Sequence, residues 1–154
     1  MAYGRLFTPK EIHKGLDVNF IDDPGDFFIM TSFDIRFTVP DVEEKISKDA
    51  FFTIEYMFRL YLKQSEYKNS ILHFGGIDNT GISLNLFEHL DKQKAFDLVA
   101  GMCRHFLTLE KGEPSDDALI GKLQLGFDEA IRVVSDYLEL IESEGGYTYQ
   151  EERT

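Results

Sequence analysis

DVEEKISKDAFFTIEYMFRLYLKQ, residues 41–64, decides the fold, because it satisfies two incompatible periods. As a strand, Phe52, Ile54, Tyr56, Phe58, Leu60 and Leu62 share one face, and the aromatic content favours a sheet. As a helix, Asp41 can cap the N-terminus, with Glu44 three residues on to complete the box. Glu55, Arg59 and Lys63 then line up at four-residue spacing, the acid N-terminal to the bases, which is the favourable order. Two independent helix signals outweigh propensity, so 41–64 is predicted as one long, mostly buried helix.

Upstream, Leu16, Val18 and Phe20 alternate with Asp17 and Asn19, and Phe33, Ile35, Phe37 and Val39 alternate with Asp34, Arg36 and Thr38. Period two with Asp22-Asp23-Pro24-Gly25-Asp26 between the runs predicts a β-hairpin over 16–39. Thr8-Pro9-Lys10-Glu11 before it is a short helix start that Gly15 stops. Downstream, Ser70–Phe74 and Ile82–Leu86 flank the glycine-rich Gly75–Gly81 link, which predicts a second hairpin over 70–87. Asp91 caps a helix over 92–110, whose stripe is Ala95, Leu98, Val99, Met102, Phe106 and Leu109. A last helix over 115–144 carries Leu119, Leu123, Phe127, Ala130, Val134, Leu138 and Ile141, and Gly145-Gly146 ends it. The expected fold is α+β: a small antiparallel sheet of two hairpins packed against three helices, with a helix-rich C-terminal half. No repeat or linker divides residues 1–154, so one domain is expected, with 145–154 left as a flexible tail.

Composition narrows function mainly by exclusion. The 154 residues carry a net charge of −12, and residues 113–154 hold eleven acids against Lys122, Arg132 and Arg153. A surface of one sign repels nucleic acid and anionic lipid and speeds encounter with basic partners. Fourteen Phe and seven Tyr with no Trp point to a core built on rings. The single Cys103 excludes an intramolecular disulfide. Residues 1–15 lack the apolar run of a secretory signal, and no stretch reaches the ~18 apolar residues of a membrane span, so the cytoplasm is the expected compartment.

No motif specifies a catalytic residue, a metal or a cofactor. Gly75, Gly76, Asp78 and Asn79 are candidate ligand-binding residues, although their spacing is neither a P-loop nor a dinucleotide fingerprint and a plain hairpin turn explains them. Cys103 and His105 would point about 200° apart on a helix and cannot chelate together. The acids left over on the last helix give the other candidates: Asp128, Arg132, Asp136, Glu139 and Glu142 fall near one outer face. The sequence therefore favours a non-enzymatic acidic interaction protein that binds, and by analogy with immunity proteins inhibits, a basic protein partner. A homodimer pairing two such faces is compatible with it. The alternative is a small-molecule-binding domain or modest enzyme, with an aromatic pocket closed by the Gly75–Gly81 link.

Overall fold

The computed structural model describes residues 13–109 and 126–153. The Thr8–Glu11 helix start, Leu119 and Leu123 lie outside them. At the centre, β1 (Gly15–Asp23) and β2 (Phe28–Arg36) pair antiparallel, with Leu16 opposite Ile35 and Val18 opposite Phe33. The hairpin predicted over 16–39 turns through a single 3-10 turn, Pro24–Asp26, in which the Asp23 carboxylate accepts from the Asp26 amide. β3 (Ile71–Ile77) and β4 (Gly81–Leu86) form the second hairpin, and β4 pairs antiparallel with β2, Leu84 opposite Phe33.

The sheet differs from expectation at its other edge. Residues 147–153, read as a tail, form β5 (Tyr147–Arg153), which runs parallel to β1 with Val18 opposite Tyr149. The sheet is thus five-stranded and mixed, in the order β3-β4-β2-β1-β5, not a purely antiparallel pair of hairpins. Nor is the C-terminal half simply helix-rich, because β4 and β5 lie in it. The physical reason is local. The Leu16 amide donates to the Gly146 carbonyl at 2.9 Å, and a Cβ on Gly15 would collide with that same carbonyl oxygen. Two glycines therefore let the chain leaving the last helix press against the start of β1. Tyr147 and Tyr149 then donate their hydroxyls to the Lys92 and Leu90 carbonyls at 2.6 and 2.8 Å, which fixes the strand.

The three described helices, α1 (Lys48–Gln64), α2 (Lys92–Leu107) and α3 (Phe127–Glu142), cover one face of this sheet. Their apolar stripes meet Leu16, Val18, Phe33, Ile35, Ile82 and Leu84 in one core. Phe58 sits at its centre, fully buried, with the rings of Phe37 and Phe106 at 6.3 and 6.2 Å. α2 starts at the predicted cap, Asp91, whose carboxylate accepts from the Lys94 amide at 2.8 Å. α1 is a helix as predicted but starts seven residues later than 41. Ser47 is its cap, accepting from the Ala50 amide, whereas Asp41 is held at φ 63°. Residues 39–46 are instead spent on other partners: Glu43 accepts from the Val39 amide, and the Ile46 amide donates to the Asn79 carbonyl at 3.1 Å. Among the described residues no helix is long and apolar enough to cross a membrane.

The opposite face of the central strands buries polar side chains beside the apolar pair Ile21 and Met30. Arg36 holds Asp34 through two hydrogen bonds of 3.1 and 3.0 Å and donates a third to Thr80 Oγ1 at 2.9 Å. Asn19 and Ser32, paired across β1 and β2, are buried with no hydrogen-bond partner on their side chains among the described residues.

Candidate functional site

The β3–β4 turn is where sheet, helix and polar side chains converge. Asp78 and Asn79 both have positive φ, 48° and 56°, the conformation of a primed hairpin turn. Asx side chains tolerate that region better than most. The turn is anchored from both sides. Thr80, its last residue, receives Arg36, and Lys45 Nζ lies 2.7 Å from Asp78 Oδ2.

The first two turns of α1 pack against this hairpin and leave a cleft of about 290 Å³, lined by Lys48, Phe51, Phe52, Glu55, Gly76, Asp78 and Asn79. Residues three and four apart on a helix share a face, which is why Phe51, Phe52 and Glu55 arrive together. Gly76 permits the close approach: a Cβ there would stand 2.5 Å from Glu55 Oε2 and 2.6 Å from Phe51 Cε1. Glu55 Oε1 is held by Arg59 at 3.1 Å, and the Arg59 guanidinium lies 5.4 Å from the Phe74 ring centre. One carboxylate oxygen is thus tethered while the other faces the hairpin.

Of the four candidate ligand residues, Gly76, Asp78 and Asn79 line this cleft, and Gly75 does not. Gly75 and Gly76 belong to β3 and Gly81 to β4, so the loop is shorter than the sequence implied. The α3 candidates divide. Arg132 and Asp136 line a second, larger cleft, Glu142 pairs with Arg104 of α2 at 3.1 Å, and Asp128 and Glu139 are exposed. Sequence reasoning missed Glu55, Phe51, Phe52 and Lys48 as site residues. Glu55 carried only the signal of a helix-stabilising row with Arg59 and Lys63.

Nucleophilic thiol chemistry has no support in this geometry. Cys103 is buried in α2, and burial pushes its thiol up to about 12, so the reactive thiolate is suppressed. A metal ion fits no better. Helix-borne metal centres of the H-x-x-E-H pattern need two imidazoles around the carboxylate. α1 has Phe52 and Tyr56 at those positions relative to Glu55, and their rings stack at 6.1 Å. Among the described residues no group of three His, Cys, Asp or Glu could hold a metal, and residues 110–125 contain neither His nor Cys.

Helices on one face of a mixed sheet make this an α+β fold, with a carboxylate cleft beside its second hairpin turn. Residues 21–119 match the family model of S-ribosylhomocysteinase (LuxS), and the chain belongs to that family. No curated protein matches it. The matched stretch contains the whole cleft, whereas α3 lies beyond it. Membership in a family of enzymes overturns the expectation of a non-enzymatic, inhibitor-like protein, and with it the basic protein partner. That expectation rested on the charge of residues 113–154, of which all but 113–119 lie beyond the matched residues.

Proposed function

We propose that the cleft between α1 and the β3–β4 turn binds a ribose-bearing thioether of the S-ribosylhomocysteine class, and that Glu55 is its acid–base group. The observation that carries this reading is the setting of Glu55: one oxygen tethered by Arg59, the other against Gly76, with Phe51 and Phe52 alongside. The aromatic faces suit the apolar side of a sugar, and Asp78, Asn79 and Lys48 supply hydrogen-bonding groups for its hydroxyls. Elimination of a thioether needs a base on the carbon next to the one bearing sulfur. Once proton transfers along the open-chain sugar have moved its carbonyl beside that carbon, the carboxylate takes the proton, the electron pair forms the carbon–carbon double bond, and the thiolate leaves and is protonated by solvent. The reading assigns the protein to the cytoplasm, where a lone thiol stays reduced.

The test is calorimetry with S-ribosylhomocysteine on the wild-type chain and on Glu55→Gln, with thiol release followed by a chromogenic reagent. The buried Cys103 contributes little background. Saturable binding is expected for both proteins, with thiol release at least about 100-fold slower in the variant. Binding without thiol release in the wild type removes the catalytic half of the reading, and absence of binding removes all of it.

A further inference from the structure

The second cleft, about 670 Å³, lies between α3 and residues 37–47 and shares no lining residue with the cleft around Glu55. Its charges are close to balanced: Lys14, Lys45 and Arg132 against Glu43, Glu44, Glu129 and Asp136. Such a wall suits neither a polyanion nor a polycation, but it suits a ligand carrying both signs. Most of these groups are already engaged. Lys14 Nζ holds Glu43 at 2.8 Å, Lys45 Nζ holds Asp78 at 2.7 Å, and Glu129 accepts from the Ser47 amide at 3.0 Å.

Arg132, Asp136 and Glu44 are left without an ion pair or hydrogen bond among the described residues. Arg132 and Asp136 stand four residues apart on one face of α3, a spacing at which opposite charges meet. Here the base precedes the acid, which is the weaker order, and the two do not pair. Thr38, on the same wall, keeps a buried hydroxyl with no partner among the described residues. We infer that this cleft binds a free α-amino acid. Arg132 takes the carboxylate through its planar fork, Asp136 takes the ammonium, and the ligand side chain lies along Phe37, Val133 and Leu140. The exposed Glu44 disfavours acidic side chains.

The probe is L-methionine, titrated calorimetrically into the full chain, beside 4-(methylthio)butanoate and 3-(methylthio)propylamine, which lack the ammonium and the carboxylate respectively. Saturable binding of methionine is expected, with each analogue, L-glutamate, Arg132→Gln and Asp136→Asn weaker by at least about tenfold. Both substituted residues are exposed, and circular dichroism verifies that the variants stay folded. Glu55→Gln should bind methionine as the wild type does, which keeps this test separate from that of the first cleft. No saturable heat up to about 10 mM, or equal binding by the analogues or by the α3 variants, overturns the inference.

Discussion

The two faces of the central strands are built on different physics. On the helix side, Leu16, Val18, Phe33 and Ile35 join the apolar core, and stabilisation is mainly close packing of rings and branched chains. On the other side, the same two strands bury Asn19, Ser32, Asp34 and Arg36, whose stabilisation depends on finding partners. Arg36 and Asp34 find them, and the pair reaches out to Thr80 at the end of the β3–β4 turn. Asn19 and Ser32 do not. The apolar face supplies stability, and the polar face supplies position: it ties the turn that forms the candidate site to the middle of the sheet.

The contrast can be broken most severely on the apolar side. Phe58→Ala empties the centre of the aromatic cluster and should cost about 3–5 kcal/mol in urea unfolding. On the polar side, Arg36→Leu leaves a buried carboxylate unpaired and should fall toward the lower end of about 3–5 kcal/mol. Replacing Asp34 and Arg36 together by apolar residues should recover most of that loss, because no lone charge remains. A double variant as unstable as the single one would show that the pair does more than satisfy itself.

A pH series sharpens the comparison at the next level. Burial raises Cys103 from 9.0 to about 12, so the unfolded chain gives up that proton before the folded chain does. Its contribution is complete below pH 9 and is lost as pH rises toward 12, at a limiting slope of about 1.4 kcal/mol per pH unit. Cys103→Ala should flatten stability between pH 9 and 10, before the tyrosines titrate. Tyr137 and Tyr147, also raised by burial, extend the decline above pH 10. The smallest effect belongs to the orphaned hydroxyl: Ser32→Ala should be neutral or stabilise by about 1 kcal/mol, read as a rise in the urea midpoint.

What the sequence disclosed follows the range of each signal. α2 was legible because its cap, Asp91, and its stripe are local, and β2 because its alternation is unbroken. The start of α1 was misread because Asp41 and Glu44 imitate a capping box. Ser47 is the cap in the fold, chosen by contacts with Asn79 and Glu129 that lie far away in sequence. β5 was invisible for the same reason: Tyr147-Thr148-Tyr149 alternates too briefly, and its partner strand starts about 130 residues earlier. At the site, Asp78 and Asn79 were legible as turn residues. Glu55 was not, because its role depends on Gly76 crossing the helix, and nothing in a helical row announces the strand above it.

The parallel pairing of β5 with β1 sets the order in which a nascent chain can finish folding. β1 emerges from the ribosome early, yet its outer edge stays open until residues 147–153 have been made. An open strand edge is a template for other chains; the half-made protein offers the edge of the apolar β1, whereas the finished one presents there the acidic β5 with Glu151 and Glu152, which pairs less readily. Covering the β1 edge is a long-range step of the slow kind. Expression should therefore respond to chaperone supply and to translation rate. A bulky fusion joined after β5 should delay the step that adds the last strand.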